Sequence, residues 1–324
     1  PGATYARPDA PAGQRYKYRP VHSIVYPPGC LQSQIDECRR PGGLVLRDDD
    51  IAVTTYPKCG TTVMQQIVLL LQRNGNPQGI SLDATGSDTP WIEQVASGRD
   101  PAKDRAWLDT LPARRVFKTH ACRHLFPAVP SRNGAVCAAA GARLVVVCRN
   151  PFDACVSMYP HARDKPVFEY ADGEWDDFFG LFMSGQVESG CFFAWHAAWH
   201  AAAQADPGRI LWLHYEALLA DPHGTVAAVA AHCRLGLLPS GTVDAALVQR
   251  VVAASSFSAM KVQHEASAAK NHFRPGKSGG WRAYFSRAPK EAMARKAART
   301  LRRAGRALGT GLALDAWRAL ARRV

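Results

Sequence analysis

Short runs of apolar residues alternate along the chain with longer segments in which apolar positions recur at helical spacing. The short runs are rich in β-branched and aliphatic residues and lie at 51–55, 115–118, 143–148 and 210–214. The helical patterns lie at 61–73, 151–159, 176–183, 189–204 and 223–235. Strands that are apolar on both faces and alternate with helices predict an α/β fold, in which helices flank a central parallel sheet.

Length and composition favour a single domain with a short arm. The chain has 324 residues, of which 47% are hydrophobic. That composition supplies a sizeable core, excludes global disorder and suits one large α/β domain. Residues 1–20 are rich in Pro, Gly and Arg, and we expect them to form an N-terminal arm on the surface. The domain itself is expected to cover 21–324 and to end in a basic helical segment at about 287–324.

Positive charge is concentrated near the C-terminal end. The formal net charge is +13, and from Arg282 onward Lys and Arg outnumber Asp and Glu by ten. We interpret this segment as a solvated basic helix. A nucleic-acid binder that uses the segment is the alternative. Aromatic residues are hardly interleaved with these charges, so stacking on bases is poorly supported and we expect no nucleic-acid partner.

The cysteines and the hydropathy favour a cytoplasmic protein. Nine cysteines are scattered along the chain, and none forms a C-x-x-C pair. This pattern is typical of free thiols in a reducing compartment. No stretch approaches the roughly 18 apolar residues of a membrane span, and no signal peptide is visible. We therefore expect a cytoplasmic location and no membrane partner.

The segments that follow the predicted strands are the first place to look for chemistry. In a parallel α/β sheet, ligands bind at the carboxyl ends of the strands. The residues after the four predicted strands read YPKCGTT, KTHACRH, RNPFDACVS and HYEALLADP. Parallel strands end at one edge, so these segments are expected to lie together. Three of them carry cationic or basic groups, which indicates an anionic ligand.

The first of these segments has the layout of an anion-binding turn. Gly60 permits a tight turn, the threonines after it begin a helix with free N–H groups, and Lys58 adds a positive charge. An ordinary N-capped helix with a surface lysine is the alternative. A Walker A loop is excluded, because the Gly-Lys-Ser at 276–278 has no preceding strand and has Asn271 where the motif needs glycine.

Residues 56–63 (YPKCGTTV) resemble the Y-P-K-S-G-T-T-W turn of the cytosolic sulfotransferase family. In that family the turn holds the 5′-phosphosulfate of PAPS (3′-phosphoadenosine 5′-phosphosulfate). The sequence departs from the family at Cys59, which replaces a serine, and at Val63, which replaces a tryptophan that stacks on adenine. The resemblance implies that the turn binds the cofactor through Lys58, Cys59, Gly60, Thr61, Thr62 and Val63.

Further segments resemble the family in the same order along the chain. RNPFDACVS resembles R-N-x-x-D-x-x-V-S, whose arginine and serine grip the 3′-phosphate, and arginine does offer a planar fork of donors. HYE and SSFSAM resemble segments that hold adenine, and RPGKSGGWR resembles R-K-G-x-x-G-D-W-K, which closes over the 3′-phosphate. These matches imply cofactor contacts at Arg149, Ser157, Tyr215, Ser255, Phe257, Met260, Arg274, Pro275 and Gly276.

Three of these assignments have alternatives or departures. A salt bridge from Arg149 to Asp153 is the alternative for the arginine, and a core aromatic is the alternative for Phe257. Pro275 replaces the family's lysine and removes a backbone donor, which changes how that loop grips a phosphate.

The segment Phe117-Lys118-Thr119-His120 resembles the family's K-T-H, whose histidine is the general base. A histidine that titrates near neutral pH suits proton abstraction. The resemblance implies transfer of the sulfuryl group of PAPS to a hydroxyl or amine. His120 would take the proton, Lys58 would stabilise the leaving oxygen, and Lys118 would hold the transferring group. Ser157 would hold Lys58 aside until an acceptor arrives.

No metal is expected in this site. The run HACRH contains two histidines and a cysteine, but a fourth ligand is missing. Lysines and helix N–H groups supply the positive field that the reaction needs. The expected cofactor set is therefore PAPS as donor and PAP (adenosine 3′,5′-bisphosphate) as product, without a metal ion.

The identity of the acceptor is the property that the sequence determines least. The expected substrate-binding residues are Trp91, Lys118, His120 and Phe126, and the aromatic residues of 168–179 add further candidate walls. These side chains suit a small, partly apolar alcohol or phenol. The alternative is a cationic acceptor that faces Asp164, Glu169 and Asp172. The segment 282–291 matches the family's dimerisation pattern only at its ends, so monomer and homodimer both stay open.

Two other functions stay open as alternatives. A P-loop kinase or ATPase needs a Walker A loop and an acidic Mg²⁺ ligand after a strand, and the sequence offers neither. A relative that binds PAPS or PAP without transferring sulfate is compatible with the departures at Val63 and Pro275.

Overall fold

The computed structural model describes residues 4–39, 43–44, 46–82, 88–94, 107–126, 129–130, 136–137, 141–265 and 279–308. Within these residues the strands are β1 (Thr4–Tyr5), β2 (Lys17–Val21), β3 (Ile24–Tyr26), β4 (Ile51–Thr55), β5 (Val116–Thr119), β6 (Val129–Pro130), β7 (Val136–Cys137), β8 (Arg143–Cys148) and β9 (Ile210–His214). The helices are α1 (Gln32–Arg39), α2 (Thr61–Gln72), α3 (Pro151–Asp164), α4 (Trp175–Ser184), α5 (Phe192–Ala205), α6 (Tyr215–Ala220), α7 (Pro222–Cys233), α8 (Ala245–Ala254), α9 (Phe257–Gln263) and α10 (Arg287–Leu308).

The centre of the fold is a four-stranded sheet in the order β5-β4-β8-β9, and all of its neighbouring strands are parallel. Each of its strands was predicted from an apolar run, and every residue of β4 is buried. Successive residues of β4 face opposite sides of the sheet. Ala52 packs with the aromatic core on one side, and Val53 packs with the aliphatic core on the other. The predicted α/β fold with a parallel sheet between helices is confirmed.

The two sides of the sheet have different cores. On one side, α2, α7 and α8 supply aliphatic residues that include Ile67, Val229 and Leu247. On the other side, α3, α4 and α5 supply aromatic residues that include Trp195 and Trp199. The helix predicted at 189–204 begins three residues later, because Ser189 and Gly190 both have positive φ.

The N-terminal arm contains strands that the sequence pattern did not indicate. β1, β2 and β3 form an antiparallel sheet, and Tyr16 between the first two strands is fully buried. Its ring stacks on Phe168 with centroids 5.1 Å apart. Lys17 and Tyr5 both bond the carboxylate of Glu169. The described part of this segment is thus fixed to the domain. The boundary between arm and domain at residue 20 stays a prediction.

The basic C-terminal helix is attached to the domain through one face. Met293 and Ala297 of α10 are buried, and Lys296 donates a hydrogen bond to the carbonyl of Met183 in α4. Charged residues on the exposed face pair along the helix, as Arg287 does with Glu291. Within the described part of the chain, no helix is both long and apolar enough to span a bilayer.

Candidate active site

The turn after β4 exposes the start of α2 to a ligand. Lys58 and Gly60 both have positive φ, at 68° and 95°, so the chain reverses sharply before the helix begins. Gly60 is the N-cap and supplies no side chain to the first turn. The first N–H groups of a helix need partners from outside the helix, and a phosphate or sulfate supplies them well. The turn therefore has the backbone shape that the sequence predicted, and its binding of an anion stays a prediction.

The other residues of the turn fix it to the core. Cys59 is fully buried. Thr61 Oγ1 lies 2.6 Å from Thr55 Oγ1, which connects the start of the helix to the end of β4. Thr62 is half-buried in the first helical turn. Val63, which stands at the family's tryptophan position, packs against the aliphatic core.

Arg149 joins the turn to the strand ends of β8 and β9. Its Nη1 donates to the carbonyl oxygen of Lys58 at 2.8 Å, and its guanidinium carbon lies 4.6 Å from the centroid of the Tyr215 ring. Nε of Arg149 is buried and has no hydrogen-bond partner among the described residues. A buried guanidinium N–H without a partner is costly in free energy and suits an anionic ligand.

Asp153 performs a task that the sequence analysis did not assign. Its carboxylate accepts hydrogen bonds from the backbone N–H groups of Gly279, at 2.9 and 3.1 Å, and of Trp281, at 3.4 Å. It thereby holds the described end of the glycine-rich loop beside the start of α3. Ser157 lies one turn further along the same helix and is half-buried. Arg274, Pro275 and Gly276, the predicted phosphate contacts of that loop, lie outside the described residues.

The segment at 255–260 presents one exposed ring. Ser256 caps α9 by accepting a hydrogen bond from the Ala259 N–H at 3.3 Å. Ser255 and Met260 are buried, whereas Phe257 is 41% exposed. The alternative that Phe257 is a core aromatic is therefore wrong. An exposed ring suits stacking on a base, which is the role that the resemblance implies.

His120 is buried at the end of β5 in one defined tautomer. Its Nδ1 lies 2.8 Å from the carbonyl oxygen of Thr55 and donates to it, which leaves the lone pair on Nε2. Its backbone N–H donates to Glu93 Oε1 at 2.6 Å. Burial and then the charge of Lys118 lower the pKa of His120 to about 4. The imidazole is therefore neutral at neutral pH and keeps a lone pair on Nε2, but it is a weaker base than the near-neutral histidine that the sequence suggested, because burial disfavours its charged form.

Lys118 and Trp91 form a second wall beside the histidine. The Lys118 ammonium lies 4.5 Å from the centre of the Trp91 ring, and that ring meets His120 edge to face at 5.3 Å. Burial raises the pKa of Glu93, below this pair, to about 7. The predicted acceptor residues Trp91, Lys118 and His120 are thus neighbours.

A further carboxylate in this region was missed by the sequence analysis. Glu188 lies in the loop between α4 and α5, is 5% exposed, and has its Oε2 3.6 Å from His161 Nε2. His120 and Lys118 act electrostatically on Glu188, and Lys58 acts on His161, so these groups share one polar region. The available signal was a single acidic residue within the apolar stretch FMSGQVESGCFF.

Several predicted acceptor residues are used elsewhere. Phe126 is buried and packs edge to face on Trp199 at 5.4 Å, so it belongs to the core. The aromatic residues Phe168, Tyr170 and Phe178 are also core residues. Glu169 pairs with Lys17 of the arm, and the backbone of Asp172 donates to Gly13 O at 3.0 Å. The segment at 168–172 therefore anchors the arm, which is the physical reason why it does not supply the open acceptor walls we expected.

The described residues contain no group of three or more His, Cys, Asp or Glu side chains that could hold a metal ion. Cys122 and His124 of the HACRH run do approach each other, with Sγ 3.7 Å from Nε2.

Comparisons with known proteins identify the family. Residues 48–305 match the family model described as "Sulfotransferase domain". The chain is 28% identical to rat sulfotransferase 1 family member D1 over 251 residues, covering 74% of this chain and 79% of that protein. It is 30% identical to mouse sulfotransferase 2B1 over 290 residues, covering 86% of this chain and 77% of that protein.

Solved structures show the same fold. A crystal structure of the mouse sulfotransferase SULT7A1 complexed with PAP matches with a TM-score of 0.70 at 20% identity, covering 94% of this chain and 98% of that one. A retinol dehydratase in a complex with retinol and PAP matches with a TM-score of 0.62 at 20% identity, covering 90% and 87% of the two chains. The family model covers most of the chain, and the protein therefore belongs to the sulfotransferase family and is a PAPS-dependent sulfuryl-transfer enzyme.

Proposed function

We propose that the protein transfers the sulfuryl group of PAPS to a hydroxyl of a small-molecule acceptor, with His120 as the general base. The observation that carries this proposal is the tautomer of His120. Because Nδ1–H is donated to the carbonyl oxygen of Thr55, Nε2 is free to accept the acceptor's proton. Transfer forms a bond between the acceptor oxygen and sulfur, and breaks the bond between sulfur and the oxygen of the 5′-phosphate.

The residues at the strand ends fit an anionic nucleotide. The start of α2 has no side-chain cap from the described residues, and Nε of Arg149 has no hydrogen-bond partner among them; both features suit an anionic ligand. We assign the phosphosulfate end to residues 58–62, the 3′-phosphate to Arg149 and Ser157, and the base to Tyr215 and Phe257. The mouse SULT7A1 and retinol dehydratase structures, which share this fold, were solved in complexes with PAP, and this supports the assignment.

The charged groups have separate tasks in this proposal. Lys58 stabilises the negative charge that develops on the departing phosphate oxygen, and Lys118 helps to hold the transferring group. Ser157 restrains Lys58 until an acceptor is bound. We propose that no metal takes part. The acceptor is a small molecule, and the retinol dehydratase structures, which share the fold, contain small molecules of this size, androsterone in one and retinol in the other. A cytoplasmic location without membrane or nucleic-acid partners, as monomer or homodimer, stays a prediction.

Replacement of His120 tests the proposal. His120→Ala is expected to lower sulfate transfer from labelled PAPS, assayed with a panel of phenols and alcohols, by about 100-fold or more. PAP affinity, measured by calorimetry, should stay within a few-fold of wild type, because His120 lies on the acceptor side of the turn. His223→Ala, in an exposed position on α7, is the matched control and should leave both quantities unchanged. A His120→Ala enzyme with near-normal turnover would remove the histidine from the mechanism.

A further inference from the structure

We propose that Glu188 forms an anionic subsite that binds an ammonium group of the acceptor, so that the substrate is an amine-bearing phenol or alcohol. This inference rests on the sulfotransferase function proposed above. It deepens that function by assigning the charge of the acceptor and the atom that is sulfated.

The first argument is the burial of the Glu188 carboxylate beside a neutral imidazole. Its side chain is buried, and the one ion pair that the described residues give it is with His161, at 3.6 Å. Burial lowers the pKa of His161, so the imidazole is neutral at neutral pH. Burial alone raises the pKa of Glu188, but the hydrogen bond from His161 and the electrostatic influence of neighbouring basic groups, Lys118 among them, leave it below its usual value. A buried carboxylate beside a neutral partner is costly, and a bound cation relieves that cost.

The nearest lysine does not serve as that partner. Lys118 acts on Glu188 through its charge, but its ammonium lies over the Trp91 ring. Of the three acidic residues that the sequence suggested for a cationic acceptor, Glu169 and Asp172 are held against the N-terminal arm, and Asp164 is exposed at the end of α3. Glu93 holds the backbone of His120. Of Glu93, Glu169, Asp172 and Glu188, Glu188 is thus the residue left for an acceptor.

The second argument is independent of charge. Tyr26 Oη and Ser189 Oγ are buried and have no hydrogen-bond partner among the described residues. Ser189 follows Glu188 directly, and its N–H donates at 2.7 Å to the carbonyl of Val25, the residue before Tyr26. The two hydroxyls therefore lie beside the loop that carries the carboxylate. An ammonium has three N–H donors, and Glu188, Tyr26 and Ser189 offer a matching set of acceptors.

The arrangement also determines which atom of the acceptor reacts. An amine that is bound as an ammonium has no lone pair and cannot attack sulfur. The nucleophile is then the hydroxyl that reaches His120 Nε2, and its proton passes to that nitrogen. The product expected from this site is a sulfate ester that retains a free ammonium, and not a sulfamate.

A matched pair of acceptors tests the inference. We would compare 4-(2-aminoethyl)phenol with the neutral 4-ethylphenol, using both binding to the PAP-loaded protein and transfer from PAPS. The wild type should bind and sulfate the aminoethylphenol preferentially. Glu188→Gln should lower kcat/KM for the aminoethylphenol by about 30-fold, mostly through KM, and change kcat/KM for ethylphenol less than about threefold.

Two further variants make the outcome decisive. Glu169→Gln removes an exposed carboxylate of the same type and should leave the preference unchanged. Tyr26→Phe keeps the ring and should reduce the preference by several-fold, even where Glu188→Gln fails to fold. Equal losses for both acceptors in Glu188→Gln, no preference in the wild type, or a sulfamate product in mass spectrometry would each overturn the inference. Absence of transfer to every acceptor, while the PAP-loaded protein still binds the aminoethylphenol selectively, would instead refute the proposed function.

Discussion

Gly60 has no side chain for a steric reason that is visible in the structure. Its φ is +95°, and a Cβ added there would lie 2.6 Å from Cδ2 of Tyr215. A methyl group at this position must either push the Tyr215 ring away or distort the turn. Both responses act on the backbone N–H groups and the ring that we assign to the cofactor.

Gly60→Ala is therefore expected to lower PAP affinity by about tenfold and the free energy of unfolding by about 1–2 kcal/mol. Calorimetry and urea denaturation measure the two effects. Gly180→Ala is the matched control, because a Cβ at Gly180 in α4 meets nothing within 4 Å. That variant should be as stable as wild type or more stable, since alanine is the better helix former. A Gly60→Ala protein with normal PAP affinity would show that the turn is not the binding site.

The low pKa of His120 predicts a pH-dependent stability. The pKa is about 4 in the folded protein and 6.5 in the unfolded chain. As the pH falls from 6.5 toward 4, the unfolded chain binds a proton here and the folded protein does not, so folding becomes less favourable. Relative to His120→Gln, the wild type should lose about 1–2 kcal/mol of stability between pH 7 and pH 5. Parallel pH profiles of the two proteins in chemical denaturation would contradict the buried, neutral imidazole.

At the residue scale, the sequence predicted those site residues that lie in motifs. His120, Lys58 and Arg149 follow strands, and their positions could be found from the pattern and the resemblance. Glu188 could not be found in this way, because it lies in a loop and approaches His161 only through the tertiary fold. Phe126 was assigned to the acceptor from proximity in the sequence, but the packing of Trp199 places it in the core.

At the scale of elements, the N-terminal end of α3 organises one half of the site. Asn150 caps the helix by accepting from the Phe152 N–H at 2.9 Å, and Pro151 follows at the first helical position. Asp153, which is buried in the first turn, then holds the backbone of Gly279 and Trp281. The stacking of Phe152 on Trp281, at 4.8 Å, strengthens the same contact.

Asp153→Ala should release this loop and reduce PAP affinity by about tenfold, since several backbone N–H groups lose their charged acceptor. Asp221→Ala is a useful comparison, because Asp221 caps α7 by accepting from Gly224 N at 2.8 Å. That variant should lose about 1 kcal/mol of stability without a change in PAP affinity. If both variants change only stability, the loop does not contribute to the cofactor site.

The elements that were predicted well have strong local signals. β4, β8 and β9 begin and end where the apolar runs do. β1 and β2 were missed because they are short and rich in polar residues, and because they pair within a surface sheet. Their position depends on contacts with distant residues, such as Tyr16 with Phe168, which no local pattern encodes.

At the scale of the whole molecule, the two ends of the parallel strands have different roles. We call them the amino-terminal edge and the carboxyl edge of the sheet. At the amino-terminal edge, Arg115 and Asp50 form a buried ion pair that lies just before β5 and β4. At the carboxyl edge, the corresponding positions hold Lys58 and His120, which face the site. Removal of one partner of a buried ion pair is strongly destabilising. We therefore infer that charges at the first edge maintain the fold, while charges at the second edge bind ligands.

The most direct test of the account is a calorimetric titration of the protein with PAP in the absence of metal, compared with ATP and Mg²⁺. The account predicts a PAP complex with a dissociation constant on the order of micromolar, about −8 kcal/mol, and no detectable binding of ATP. PAP carries the 3′-phosphate that Arg149 and Ser157 would bind, and ATP does not. Failure to bind PAP, or binding of ATP with equal affinity, would contradict the assignment of the strand ends as a phosphoadenosine site.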